Sequence, residues 1–393
     1  MKICGIICEY NPFHNGHAYL LSEAKKQSGA DALLCIMSGN FTQRGEMAVL
    51  DKFTRAKHAV LAGADAVIEL PAVFAISPAE IFAKGAVKLL ASCPSFDTLA
   101  FGCEDGDRIS FLQTAKATAD ESRELKAAIR ANLKAGMSLT KARHEAIAAA
   151  HLPNADASLL SSPNNILGIE YTKALLHCNS PAQILPVKRI GGGYSDPDLL
   201  KNFSSATAIR GGVAEGKFRA IKKNVPPFVF ADLKKATFSD AYKKIAVYKA
   251  LSEPAENLKK ILDCTEGLEN RIKALARGTS DYDALVAKIT TKRYISSRIR
   301  RILAAAVLGI DEDLVRQSLK TKLYLKVLAV KKERADGLFS ELKRAEIPLL
   351  TRKSDENDLS PKARQTFEKD ILANDLYNFM HGIESNEHRT LFV

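Results

Sequence analysis

The chain has 393 residues, 46% of them hydrophobic, and a formal net charge of +12 at pH 7; at about 150 residues per domain it is too long for one ordinary core and points to two or three. The charge is unevenly placed. Residues 1–215 hold 22 Lys and Arg against 21 Asp and Glu, whereas 216–393 hold 35 against 24. That basic excess favours a polyanion, nucleic acid most simply and an anionic membrane surface otherwise. Cysteines at 4, 8, 35, 93, 103, 178 and 264 include no CxxC pair, which argues against a disulfide framework and a zinc site. Met1-Lys2 lead straight into a strand rather than a cleavable signal, and no apolar run approaches ~18 residues, so a soluble cytoplasmic protein is expected.

In chain order, Ile3 to Cys8 reads as a short buried strand and Ala18 to Gln27 as a helix with Leu20, Leu21 and Ala24 inward. A βα rhythm follows: strand 32–39, helix 51–61, strand 65–71, helix 78–90 and strand 98–102. Such alternation implies a doubly wound, Rossmann-like α/β domain with a mostly parallel sheet. From about 107 to 150 the Ala-, Lys- and Glu-rich sequence predicts a helical insertion. The α/β pattern resumes with a helix in SSPNNILGIEYTKALL, a strand in AQILPVKRI, a loop at GGGYSD and a short helix in SSATAIRGGV. After Pro226-Pro227 the chain turns to amphipathic helices studded with Lys and Arg, with a late strand expected within 321–330. The expected division is thus an α/β domain over 1–215 and a basic, mainly helical domain over 216–393.

The chemistry concentrates at His14-Asn15-Gly16-His17, between the first strand and its helix. In an open α/β sheet ligands bind at the carboxyl ends of strands, where the first amides of the next helix face them unpaired. Residues three apart at a helix start share a face, so both rings can direct an N–H toward one phosphate, with Gly16 letting the ligand approach the backbone.

Strand, turn and HxGH together resemble the adenylyl-transferring nucleotidyltransferase superfamily, to which class I aminoacyl-tRNA synthetases also belong. The resemblance implies that His14 and His17 hold the phosphates of ATP at the reacting centre and stabilise charge at the α-phosphate as pyrophosphate leaves. The superfamily's second motif, a Ser/Thr-rich helix start followed by a basic residue, is matched by SATAIR at Ser205 to Arg210, with ISSRIR at 295–300 as the lesser candidate. Ser205 and Thr207 also suit a structural cap. Arg298, Arg300 and Arg301, beside Lys292 and Arg293, are expected to contact nucleic acid.

More closely, CEYNPFHNGH, MSGNFTQRGE, DKFTRAKHAVLAGADAVIELP, FGCE, SPNNILGIEY and PVKRIGGGYSD, in order across residues 4–196, resemble the bacterial tRNA(Met) cytidine acetate ligases. This implies an ATP held by the run Ile7, Cys8, Glu9, Tyr10, Asn11, Pro12, Phe13, His14, Asn15, Gly16, His17, Ala18, Tyr19 and Leu20, and by Gly102, Asn164, Arg189 and Ile190. Gly102 would let base or ribose lie against the backbone, and Arg44, Arg55 and Lys57 could face substrate or RNA. The implied reaction joins ATP and acetate into acetyl-adenylate, then acetylates the wobble cytidine of elongator tRNA(Met), with Mg²⁺ as the counter-ion of ATP and tRNA bound by 216–393. The sequence leaves two rivals: an adenylyltransferase making a dinucleotide cofactor, and a non-catalytic RNA-binding protein with a regulatory nucleotide pocket.

Overall fold

The computed structural model describes residues 1–119, 122–137, 139–150, 155–190, 202–236, 240–384 and 387–393. Five parallel strands make its centre: β1 (Ile3–Cys8), β2 (Ala32–Ser38), β3 (Ala66–Leu70), β4 (Phe96–Cys103) and β5 (Gln183–Lys188). Helix α1 (Asn15–Ser28) follows β1, α2 (Lys52–Leu61) follows the loop after β2, and α3 (Ala79–Ala91) precedes β4. The strands β1 to β3 are apolar runs, broken in β3 by the buried Glu69, because both faces of the sheet are covered. Alternate side chains divide between the faces. Ile3, Leu34, Ile36 and Ile68 join one core with α3, and Cys4, Ile6, Cys35, Met37 and Val67 join another with α1 and α2.

The sheet order is β5-β4-β1-β2-β3, continued by strands from the C-terminal part. The chain winds outward from β1 through β2 to β3, then returns to lay β4 on the opposite side of β1. This reversal opens a crevice between the carboxyl ends of β1 and β4, the place where open α/β sheets take ligands. The insertion between β4 and β5 is helical over Arg108–Ala119, Arg123–Lys134 and Leu139–Ala149, followed by α4 (Pro163–His177).

The late strand differs from its expected surroundings. It is β6 (Leu325–Val330), and it pairs antiparallel with β3 in the main sheet rather than forming a small separate element. Two short strands, β7 (Leu349–Leu350) and β8 (Leu391–Phe392), then pair with β6. The sheet therefore runs across the boundary at residue 215. A buried ion cluster fixes the join: Lys52 Nζ lies 2.7 Å from carboxylate oxygens of both Glu69 and Glu387. Among the described residues no helix is long and apolar enough to cross a membrane.

Candidate functional site

The crevice at the sheet reversal is a cleft of about 1390 Å³, partly open to solvent, and His14 and His17 lie in its wall. His14 is the N-cap of α1, and its Nδ1 accepts the Gly16 amide at 3.0 Å while His17 Nδ1 accepts the His14 amide at 3.2 Å. A ring nitrogen that accepts carries no proton, so each imidazole is fixed as the tautomer with its proton on Nε2. The two rings stack with centroids 3.6 Å apart, and Tyr10 meets His17 edge-on at 4.9 Å. Burial, then the charges of Arg189 and Arg210, push His14 down to about 3. Burial, then His14 and Arg189, hold His17 well below the usual imidazole range. Both rings are therefore neutral donors at physiological pH, placed where a helix start already favours an anion.

Both glycines make room for a neighbouring side chain. A Cβ at Gly16 would stand 2.9 Å from His14 Cε1, so Gly16 makes room for the histidine ring. At Gly102, the end of β4, the nearest neighbour of a Cβ would be the Arg189 side chain at 3.3 Å. Gly102 lets Arg189 lie across the strand end, and the Arg189 amide extends the β4–β5 pairing by donating to Cys103 O at 2.9 Å.

Of the run from Ile7 to Leu20, Ile7 to Asn11, His14, Gly16, His17, Tyr19 and Leu20 line the cleft, as do Gly102, Asn164, Arg189 and Ile190. Four stand back. Pro12 and Phe13 are buried, with Phe13 packed 5.6 Å from His17, and Ala18 packs against the second core. Asn15 turns its amide to the carbonyls of Asn202 and Lys223, at 3.0 and 2.8 Å. Asn164 donates to Glu104 Oε1, while Asn165 Oδ1 accepts the Glu104 amide at 2.9 Å. Gly191, Gly192 and Gly193 lie outside the described residues.

The second motif splits by residue. Ser205 caps its helix, accepting the Ala208 amide. Thr207 and Arg210 line the cleft, and Arg210 Nη1 donates to Asn11 O at 2.7 Å, tying this helix to the turn before His14. The other basic residues divide by burial and position. Arg55 is fully buried, donating to the carbonyls of Glu9, Ser38, Gly39 and Leu50; it staples the loops after β1 and β2 instead of facing substrate. Lys57 is exposed away from the cleft and Arg44 lines it. Arg298 donates to Asp263 O at 2.6 Å and Arg301 pairs with Asp263. Arg300 pairs with Glu46 and Asp283. All three arginines have partners within the protein, so this helix is tied into the fold.

Sequence reasoning missed Thr42, Gln43 and Glu46, together with Phe82, Leu167 and Tyr171, which also line the cleft. The first three follow the parallel strand β2, and the rule that ligands sit at strand carboxyl ends would have flagged them. The last three belong to helices whose apolar spacing reads only as core.

Over residues 1–390 the chain matches the family described as HIGH Nucleotidyl Transferase. It is 38% identical over 390 residues to the tRNA(Met) cytidine acetate ligase of Caldanaerobacter subterraneus subsp. tengcongensis, covering 97% of this chain and 96% of that one. It is 37% identical to the protein of the same name from Acetivibrio thermocellus, with 96% and 94% covered. Crystal structures of Thermotoga maritima TmcAL match over 100% of both chains, the apo form at TM-score 0.90 and 28% identity, the form bound with alpha-thio ATP at 0.87 and 30%. The chain belongs to the HIGH nucleotidyl transferase family and, within it, to the tRNA(Met) cytidine acetate ligases.

Proposed function

We propose that the protein activates acetate with ATP, giving acetyl-adenylate and pyrophosphate, and passes the acetyl group to N4 of the wobble cytidine of elongator tRNA(Met). The observation that carries this reading is the pair of neutral imidazoles, each fixed with its proton on Nε2, beside Arg189 and Arg210 at the sheet reversal. Such preorganised donors stabilise charge that builds on the α-phosphate as pyrophosphate departs. Adenosine would lie toward Gly102, Asn164 and Arg189, with Ile190 at the mouth. A relative bound with alpha-thio ATP supports the nucleotide half of the reading.

Acetate is a poor acyl donor until its oxygen is esterified to a good leaving group, which AMP supplies. The mixed anhydride then needs shielding from water and a closely held amine. A cytosine in an anticodon loop is already unpaired, so little unstacking energy opposes its arrival. Catalysis is assigned to 1–215 and most RNA contact to 216–393. Arg219, Lys222 and Lys223 are exposed on a segment packed against the start of α1, where the Asn15 amide donates to Asn224 O at 3.0 Å. They form a basic ridge beside the phosphate site, suited to an RNA backbone.

Among the described residues no group of three or more His, Cys, Asp or Glu could hold a metal. Mg²⁺ would therefore enter as the counter-ion of the triphosphate, held by phosphate oxygens and water. The test is nucleoside mass spectrometry of tRNA(Met) after incubation with ATP and isotopically labelled acetate. Label in acetylcytidine supports the reading. Label that reaches AMP-linked acetate but never tRNA overturns the acceptor, and labelling only from acetyl-CoA overturns the ATP-dependent mechanism.

A further inference from the structure

The nucleotide contacts proposed above follow β1 and the two strands on one side of it, β4 and β5. On the other side of β1 the cleft is walled by the loop after β2, through Thr42, Gln43, Arg44 and Glu46. Glu9 stands at the divide, directly after the last residue of β1. Its Oε1 accepts the Gln43 amide at 2.6 Å and the Ser38 hydroxyl at 3.4 Å. Among the described residues no donor meets Oε2. The other carboxylate on this side, Glu46, is neutralised by Arg300. Arg55 steadies Glu9 from behind by donating to its backbone carbonyl at 2.6 Å. Among the described residues, Glu9 thus offers the cleft a carboxylate with one oxygen anchored and no donor on the other, beyond the phosphate site on the side away from the proposed adenosine contacts.

We propose that Glu9 is a catalytic residue of the acyl transfer, its Oε2 accepting a hydrogen bond from the exocyclic amine of the acceptor cytosine and then its proton. The inference rests on the reaction proposed above and gives Glu9 a task other than holding nucleotide. In the step, the N4 lone pair forms a bond to the acetyl carbon. The bond from that carbon to the AMP phosphate oxygen breaks, AMP leaves with the electron pair, and the N4 proton passes to the Glu9 carboxylate, which returns it to solvent.

Two pieces of chemistry favour a carboxylate here. Cytosine N4 presents N–H donors, which Glu accepts, whereas uracil O4 is an acceptor that a carboxylate repels. The N4 lone pair is delocalised into the ring, so the free amine is a weak base and a poor nucleophile; as the C–N bond forms, nitrogen gains positive charge and its N–H becomes acidic enough for a carboxylate to remove. Burial holds the Glu9 carboxyl above the usual carboxylate range, against the lowering pull of the Gln43 amide and of Arg55, Arg210 and Arg44. That shift moves it toward the proton affinity useful to a base near neutral pH.

Glu9→Gln retains an oxygen for the Gln43 amide and removes the proton acceptor. With the full-length protein, the readouts are acetate-dependent exchange of pyrophosphate into ATP, single-turnover acetylation of tRNA(Met), and calorimetric binding of ATP as a check of the site; Glu9→Asp is the second variant. The expected result is a fall in acetylation at least tenfold larger than any fall in exchange. Wild-type acetylation should also rise with pH through an ionisation that Glu9→Gln lacks. An equal fall in both half-reactions, or acetylation with an unchanged rate and pH profile, overturns the proposal. Should wild type itself show no acetate-dependent exchange, the reaction proposed in the preceding subsection fails instead.

Discussion

Gly16→Ala separates the placement of His14 from its presence. The added methyl would stand 2.9 Å from His14 Cε1 and 3.1 Å from Nδ1, whereas ordinary contacts begin at 3.4 Å. The ring must therefore retreat by about half an ångström, and the stacked His17 ring at 3.6 Å limits where it can go. The helix itself does not suffer, because Gly16 is not among the residues with positive φ and Ala is favoured over Gly by up to ~1 kcal/mol in a helix. A misplacement of 1 Å costs on the order of 10²-fold; half that distance should lower acetate-dependent pyrophosphate exchange about tenfold, with no fall in Tm. His14→Ala should lower exchange by about 10²-fold, the loss expected for one donor to a developing oxyanion. Because Gly16 acts only through His14, the double variant should be no slower than His14→Ala, a coupling of about 1.4 kcal/mol. Losses that multiply in the double variant, or full activity in Gly16→Ala, would refute the assignment of the glycine to the histidine ring.

Other outcomes follow from burial and charge. His14 and His17 are held neutral, so over the window from about 6.5 down to about 3 the unfolded chain binds more protons than the folded one, and stability falls as pH is lowered through it. The urea midpoint should drop between pH 7.5 and pH 5, and by less in His14→Ala. Lys52→Met leaves Glu69 and Glu387 buried together without their cation and should cost about 3–5 kcal/mol in urea unfolding; a loss under about 1 kcal/mol would show that the pair protonates at little cost. Replacing Arg219, Lys222 and Lys223 by Gln should reduce the slope of log affinity for tRNA against log salt by about 2–3, and an unchanged slope would move the docking surface elsewhere.

The α/β half was legible because parallel strands covered on both faces are continuous apolar runs, and the helices between them carry one apolar stripe. LKVLAV was legible as a strand for the same reason, but not its position: its partner β3 lies some 260 residues earlier, and no local pattern encodes that pairing. Gly16 and Gly102 stood out as places of close approach, and spacing alone does not reveal that His14 and Arg189 are their neighbours within the protein. Arg300 has the same character. A run of arginines on an amphipathic helix reads as a surface for RNA, and local sequence does not show that Glu46 is brought to it from another part of the chain.

That contact also explains why the two halves form one working unit. The loop after β2 closes on itself through a bridge between Phe41 and Met47. Its Gly45, at φ 73°, sits against the backbone of Arg300 and Arg301, where a Cβ would come within 2.4 Å. Tyr242 donates to Gly45 O at 3.3 Å, and Arg300 holds Glu46. The opposite face of the same loop presents Thr42, Gln43 and Arg44 to the cleft, and the Gln43 amide anchors Glu9. The basic helical region therefore sets the position of the cleft wall that carries Thr42, Gln43 and Arg44. Cutting the chain at 215 would strip β3 of its neighbour β6, remove Glu387 from Lys52, and release the loop that fixes Glu9. An exposed apolar edge and an unbalanced buried charge are each destabilising on their own. Folding and the geometry of the cleft thus depend on residues from both sides of residue 215.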